Sequence, residues 1–190
     1  MPSSGSTRNR PPERPIPLFV RVVGDDHPKA CTGRRLLHRG LARAAGEPRP
    51  GAGPVVLDPY AAEPLSPADR GRVVRTGLLV IDCSWNRLSG RGRFPDGAAR
   101  AAGVHRRLPI LVAANPQHFG RVAELNTVEA LAAALSVLGR DGEAGRLLEG
   151  FAGGANFLAI NRERLVRYAA TRDGEQIRAA ERALFAAGPD

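Results

Sequence analysis

Four short apolar runs, each bounded by turn residues, constrain the fold more than any other feature of this sequence. They are Leu18–Val23, Pro54–Leu57, Leu78–Ile81 and Ile110–Ala113. Their apolarity is continuous rather than alternating, which is typical of parallel strands covered on both faces. Segments with helical character separate the first three of these runs. The sequence therefore predicts an α/β fold with a mostly parallel sheet.

Two helices are expected between the predicted strands. Leucines recur on one stripe over Arg34–Ala45, which favours an amphipathic helix there. Ser66 followed by Pro67 is typical of an N-cap with proline at the first helical position, and it predicts a helix over Ala68–Val74. Strand and helix thus alternate through the first part of the chain.

After Ala114 the strand signals stop and helical periodicity takes over. Asn126 and Glu129 have capping-box spacing and open a first helix. Three more helices are predicted over Glu143–Phe151, Asn156–Tyr168 and Asp173–Phe185. We therefore expect a flexible basic tail at residues 1–16, an α/β domain at 17–107 and a mostly helical domain at 108–190.

The positive charge of the chain is concentrated in two segments. Lys and Arg number 28 against 19 Asp and Glu, a net charge of +9. Residues 33–50 carry five arginines and one glutamate, and residues 85–107 carry six arginines and one aspartate. These segments account for the whole net charge. Localised positive charge of this kind indicates a polyanionic partner, and nucleic acid is the first candidate.

Several classes of protein are excluded. No apolar run approaches the roughly 20 residues that a membrane helix needs, and the first residues lack the apolar core of a secretory signal. Cys31 and Cys83 are too few for a disulfide framework, so we expect a cytoplasmic protein without a membrane partner. Neither GxGxxG after the first strand nor GxxxxGK[ST] occurs, which argues against a Rossmann dinucleotide site and a P-loop enzyme.

Polar clusters follow each predicted strand, and ligands of open parallel sheets bind at that edge. The clusters are Asp25–Gly33, Asp58–Tyr60, Asp82–Asn86 and Asn115–Gly120. Asp82 comes directly after a buried run, where a carboxylate usually has an assigned partner, and it is the strongest functional candidate. Asp58 is either a turn residue or a ligand contact. Trp85 is either a core anchor or a stacking platform for a ring.

A metal site is not predicted. His27 and Cys31 have roughly the spacing of a ligand pair, but Cys83 and His118 are single residues on other loops. Cys31 fits a small buried residue better than a nucleophile.

Several motifs in order resemble the family of ribosomal-RNA aminocarboxypropyltransferases. The resemblance extends over about Leu18 to Tyr168, and Phe157-Leu158 with Asn161 resembles the family's C-terminal signature. The blocks that carry it are Asp26–Gly33, Leu57–Pro59, Ile81–Asn86, Arg106–Pro109, Leu111–Pro116 and Leu125–Ala130.

The resemblance implies an enzyme that binds S-adenosylmethionine in a site like that of the SPOUT methyltransferases, with a deep trefoil knot. It implies transfer of a 3-amino-3-carboxypropyl (acp) group, rather than methyl, to N3 of a pseudouridine in small-subunit rRNA. That pseudouridine is often already N1-methylated. No metal and no DNA partner are expected. The alternatives are a SPOUT-type RNA methyltransferase and a non-catalytic RNA-binding assembly factor.

The resemblance also assigns site residues. It implies cofactor contacts at Thr32, Ile81, Trp85, Leu108, Ala123 and Thr127. Asp82 would lie at the reacting end, where it either accepts the acceptor's proton or balances the sulfonium charge. Ala123 stands where relatives carry tyrosine, so only a backbone contact survives there. Phe119, in the same loop, is expected to compensate in part.

Basic residues around this site are expected to hold RNA phosphates without reading bases. They are Lys29, Arg34, Arg35, Arg91, Arg93, Arg106 and Arg107.

Overall fold

A parallel sheet forms the first part of the computed structural model, which describes residues 13–23, 31–46, 53–83, 85 and 103–186. Its strands are β1 (Leu18–Val22), β2 (Arg43–Ala44), β3 (Val55–Leu57), β4 (Leu78–Asp82) and β5 (Val104–Arg106). They lie in the order β2-β1-β4-β3-β5, and each described pairing is parallel. The α/β prediction is confirmed, and three of the four apolar runs are strands.

Helices cover the sheet and fill the C-terminal part. They are α1 (Thr32–His38), α2 (Arg70–Thr76), α3 (Thr127–Val137), α4 (Asp141–Leu148), α5 (Gly154–Ile160), α6 (Arg162–Ala169) and α7 (Gly174–Ala186), with a 3-10 turn at Pro67–Asp69 before α2. The Asn126 side chain accepts from the Glu129 N–H (2.9 Å), and Glu129 accepts in return from the Asn126 N–H (3.0 Å). The predicted capping box is confirmed.

The predicted helix over Arg34–Ala45 is wrong in its second half. Helix α1 ends at His38, and Gly40 has a φ of 66°, in the left-handed region that favours glycine. The Gly40 N–H donates to the Leu37 carbonyl and the Leu41 N–H to the Leu36 carbonyl, both at 3.0 Å. This is a Schellman motif, which closes the helix and turns the chain into β2.

The predicted strand at Ile110–Ala113 is also wrong. This segment lies outside the sheet. The backbone groups of Leu111 and Ala113 pair with residues 120–123 beside an isolated antiparallel bridge, and C-terminal side chains bind the other backbone groups. The Val112 N–H donates to Asn161 Oδ1 (2.9 Å), and Asn161 Nδ2 donates to the Val112 carbonyl (2.8 Å). The edge strand is instead β5, which the sequence did not signal.

Asn161 also divides the helix predicted over Asn156–Tyr168. Its fully buried amide serves Val112, and the chain breaks there into α5 and α6. The helices predicted over Glu143–Phe151 and Asp173–Phe185 are confirmed with ends shifted by one to three residues.

One large apolar cluster joins the sheet to the C-terminal helices. It contains β-strand residues such as Val20 and Val80 together with Leu131, Phe157 and Ile177. The predicted boundary at residue 108 thus divides the chain in sequence, while packing unites both sides in a common core. Among the described residues, no helix is long and apolar enough to cross a membrane.

Candidate active site

A cleft of about 720 Å³ lies at the carboxyl ends of β3 and β4. Its size is within the range of small-molecule sites, roughly 300–1,000 Å³. The start of α1, the segment at residues 107–110 and the loop at 117–127 complete its walls. The sheet edge therefore collects residues from five distant parts of the sequence, as the polar clusters predict.

Every residue to which a catalytic or cofactor role was assigned lines this cleft. These residues are Thr32, Ile81, Asp82, Trp85, Leu108, Ala123 and Thr127. Asp58, left open as a turn or a ligand contact, lines it as well.

Three donors from two helices hold the Asp82 carboxylate. Oδ2 accepts from Cys31 Sγ (2.7 Å) and from the Gly33 N–H (2.9 Å). Oδ1 accepts from the Thr127 hydroxyl. These bonds use three of roughly four lone-pair sites and connect the end of β4 to the first turns of α1 and α3. The carboxylate is thereby fixed at the cleft wall.

Gly33 is required for this arrangement. A Cβ atom on Gly33 would lie 2.4 Å from Asp82 Oδ2 and 2.8 Å from Asp82 Cβ. Since real Cβ atoms do not approach so closely, any larger residue would displace the carboxylate. No local sequence signal indicates this role of Gly33.

Cys31 acts as a helix cap and as a donor. Its Sγ accepts from the Arg34 N–H at 3.4 Å and donates to Asp82. Burial, and then the hydrogen bond to the Asp82 carboxylate, raise the pKa of the Cys31 thiol to about 11. A thiol that stays protonated at neutral pH is a poor nucleophile, so the geometry agrees with a structural cysteine.

Trp85 is anchored in the core and also reaches the cleft. Its indole N–H donates to the Leu125 carbonyl (2.9 Å), and its ring packs against the small apolar cluster of Val56, Leu79 and Ile81. The remaining surface of the half-buried ring lines the cleft. The hydrogen bond fixes the plane of the ring.

The loop at residues 117–127 is held at Ala123 by a backbone hydrogen bond. Ala123 has a φ of 64°, a left-handed conformation costly for alanine, and its N–H donates to the Leu111 carbonyl (2.8 Å). Phe119 does not replace the missing aromatic side chain, since it is 65% exposed and absent from the cleft wall.

Polar pairs complete the far wall. The Asp58 carboxylate contacts His105 Nδ1 (2.8 Å) and accepts from the Tyr60 N–H (2.9 Å), so its turn role is confirmed. His118 pairs with Glu124, and this hydrogen bond is the largest of the effects that lower the pKa of Glu124. Within the described parts of the chain, no three His, Cys, Asp or Glu side chains are placed to hold a metal ion.

The expected RNA-binding arginines differ in their surroundings. Arg34 is exposed on α1, two residues after Thr32, which lines the cleft. Arg35 lies over the Phe151 ring, 4.6 Å from its centroid. Arg106 pairs with Asp69 (3.1 Å) and Arg107 with Glu181 (2.7 Å). Lys29, Arg91 and Arg93 lie outside the described residues.

Comparison with known proteins identifies close relatives. Residues 55–185 match the model of the family described as ribosome biogenesis protein, C-terminal. The chain is 43% identical over 173 residues to a 16S rRNA aminocarboxypropyltransferase of Halobacterium salinarum, covering 91% of this chain and 99% of the relative. It is 36% identical to an 18S rRNA aminocarboxypropyltransferase of Schizosaccharomyces pombe, over 92% of this chain and 59% of the relative.

A solved structure is similar over nearly the whole chain. It is the SAM-dependent rRNA:acp-transferase Tsr3 from Vulcanisaeta distributa, with a TM-score of 0.75 and 36% identity. The match covers 91% of this chain and 90% of the other.

Proposed function

Because the chain belongs to the rRNA aminocarboxypropyltransferase family, we propose that it transfers the acp group of S-adenosylmethionine to small-subunit rRNA during ribosome maturation. The acceptor we propose is N3 of a pseudouridine, in many cases already N1-methylated. The observation that carries the proposal is the cleft, where the Asp82 carboxylate and the Trp85 ring share one space of suitable size for an adenosyl ligand.

The walls of the cleft suit the parts of this donor. We assign the Trp85 ring to packing against the donor, and the main chain of Leu108 to the adenine edge. The backbone of Ile81 would contact the ribose, and Thr127 would close the pocket. The support is spatial, since these residues lie on one cleft although they come from distant sequence positions.

The chemistry depends on which carbon faces the acceptor. The sulfonium makes three carbons electrophilic, and a site that buries the methyl and presents the methionine γ-carbon gives acp transfer. The acceptor N3 loses its proton to solvent water and forms a bond to this carbon. The carbon–sulfur bond breaks, its electron pair stays on sulfur, and 5′-methylthioadenosine leaves.

We assign Asp82 to the sulfonium charge rather than to the proton. Three donors already occupy its oxygens and orient a negative charge toward the cleft. A fixed carboxylate of this kind can balance a positive donor without reorganising.

Among the described residues, Arg34 and Arg35 remain proposed RNA contacts, and Arg34 is exposed on α1 two residues after Thr32, which lines the cleft. Lys29, Arg91 and Arg93 remain proposed phosphate contacts. The guanidinium groups of Arg106 and Arg107 are paired with carboxylates, so we propose that their main role is to shape the site.

We also propose the trefoil knot that the family resemblance implies. The insertion of β4 between the earlier strands β1 and β3 is compatible with such a path.

Analysis of the small product tests the function. Incubation with S-adenosylmethionine and small-subunit rRNA lacking the modification should release 5′-methylthioadenosine in an RNA-dependent manner. Release of S-adenosylhomocysteine would support the methyltransferase alternative. RNA binding with no turnover and no affinity for S-adenosylmethionine would support an assembly factor.

A further inference from the structure

One wall of the cleft is hydrogen-bonded to the C-terminal helices. Residues 107–110 line the cleft, and both backbone groups of Ile110 are bound from outside it. The Ile110 N–H donates to Glu181 Oε1 on α7 (3.0 Å), and the Tyr168 hydroxyl on α6 donates to the Ile110 carbonyl (3.0 Å). Side chains therefore do here what a neighbouring strand does in a sheet.

Glu181 holds both ends of this wall. Its carboxylate accepts from Arg107 Nη1 (2.7 Å) and Arg107 Nη2 (2.8 Å), in addition to the Ile110 N–H. The hydrogen bond to Glu181 is the largest cause of a raised pKa for Arg107, so the guanidinium stays protonated. Leu108 and Pro109 lie between the two anchored residues.

Burial makes this arrangement sensitive to change. Glu181 is 6% exposed and Tyr168 is fully buried. Burial, and then the charge of Glu181, raise the pKa of Tyr168, which keeps its hydroxyl a donor. Removing the carboxylate would leave the Arg107 guanidinium and the Ile110 N–H without their acceptor in a largely dry region.

We propose that Glu181 is a positioning residue for the donor site, through which the last helix sets the affinity for S-adenosylmethionine. This inference rests on the proposed function. The Glu181 carboxylate holds the Arg107 guanidinium, whose Nη1 also donates to the Leu108 carbonyl (3.2 Å), and it accepts from the Ile110 N–H. It therefore positions the main chain of Leu108, which we assign to the adenine edge. Linkage requires the reverse effect too: a bound donor strengthens the attachment of α7.

The test compares Glu181→Gln with two controls on the same helix. Glu181→Gln keeps the size of the side chain but removes the charge that both ends of the wall share. The dissociation constant and KM for S-adenosylmethionine should rise about tenfold or more, while kcat at saturating donor stays near that of the wild type. Glu175→Gln, exposed on α7, should change neither.

Ile177→Ala separates positioning from stability. Ile177 is fully buried on α7, so its truncation destabilises the helix without removing a bond to the wall. It should lower the melting temperature at least as much as Glu181→Gln and leave donor affinity within about twofold of the wild type. Equal loss of affinity in both variants, or none in Glu181→Gln, would overturn the proposal.

Tyr168→Phe covers the case in which Glu181→Gln does not fold. It removes only the hydroxyl that binds the Ile110 carbonyl, and it should raise KM for the donor several-fold with kcat unchanged. A wild-type KM in this variant would then refute the inference. If the wild-type protein itself does not bind S-adenosylmethionine, the proposed function fails instead.

Discussion

Replacing Gly33 with alanine tests the centre of the site, because two effects of known sign oppose each other there. In an ordinary helix, Gly→Ala stabilises by about 0.5–1 kcal/mol. In α1, however, the new Cβ would lie 2.4 Å from Asp82 Oδ2. The carboxylate has to move, and the bonds from Cys31 Sγ and the Gly33 N–H are lost with it.

The clash should reverse the sign of the substitution. Overpacking costs about 1–3 kcal/mol, and a hydrogen bond to a charged group contributes about 1.5–3 kcal/mol. With one lost hydrogen bond counted and the helix-propensity gain subtracted, we expect Gly33→Ala to lower the free energy of unfolding by about 1.5–5.5 kcal/mol. The affinity for S-adenosylmethionine should fall more than tenfold, because the displaced carboxylate no longer faces the sulfonium.

Urea denaturation and calorimetry measure the two quantities. The matched control is Gly145→Ala in α4, where a new Cβ meets no atom within 4 Å, and this variant should be as stable as the wild type or more so. A Gly33→Ala variant with wild-type stability and affinity would refute the packing of Asp82 against α1.

Four further predictions concern single side chains. Asp82→Asn should lower the affinity for S-adenosylmethionine in calorimetry and leave the affinity for the neutral S-adenosylhomocysteine nearly unchanged. If both affinities equal those of the wild type and only transfer is slower, with recovery at high pH, Asp82 is instead the base. Trp85→Ala should weaken the binding of S-adenosylmethionine by about 1–3 kcal/mol, and an unchanged affinity would show that Trp85 is a core residue only. The folded protein keeps the proton of the Cys31 thiol up to a pKa of about 11, whereas the unfolded chain loses it near pH 8.5. The free energy of unfolding should therefore decline between those values by about 1–2 kcal/mol, and parallel pH curves for the wild type and Cys31→Ser would contradict this. Arg34→Ser should reduce the salt slope of RNA binding by about 0.7–0.9, and an unaltered slope would remove Arg34 from the RNA surface.

Local signals predicted most of what is local in this fold. Continuous apolar runs located β1, β3 and β4, and the capping box at Asn126 located the start of α3. Asp82 was identifiable because a carboxylate at the end of a buried strand needs a partner. The partners themselves, Cys31, Gly33 and Thr127, became visible only when the sheet brought α1 and α3 to the same strand end.

What the sequence could not predict depends on contacts between distant residues. The run at Ile110–Ala113 has the composition of a strand, but the N–H groups of Val112 and Ile110 donate to Asn161 and Glu181, which are 49 and 71 positions away. From the sequence, Arg107 is predicted to be a surface charge. In the structure it is paired with the carboxylate of Glu181, which is 74 positions away. The charge of Arg107 is therefore paired within the protein.

Transfer from doubly labelled S-adenosylmethionine tests the central claim most directly. One label is placed on the carboxyl carbon of the methionine moiety and a second, distinguishable label on the methyl group. After incubation with unmodified small-subunit rRNA, we predict the carboxyl label in the RNA and the methyl label in released 5′-methylthioadenosine. Methyl label in the RNA, with the carboxyl label left on S-adenosylhomocysteine, would contradict the account.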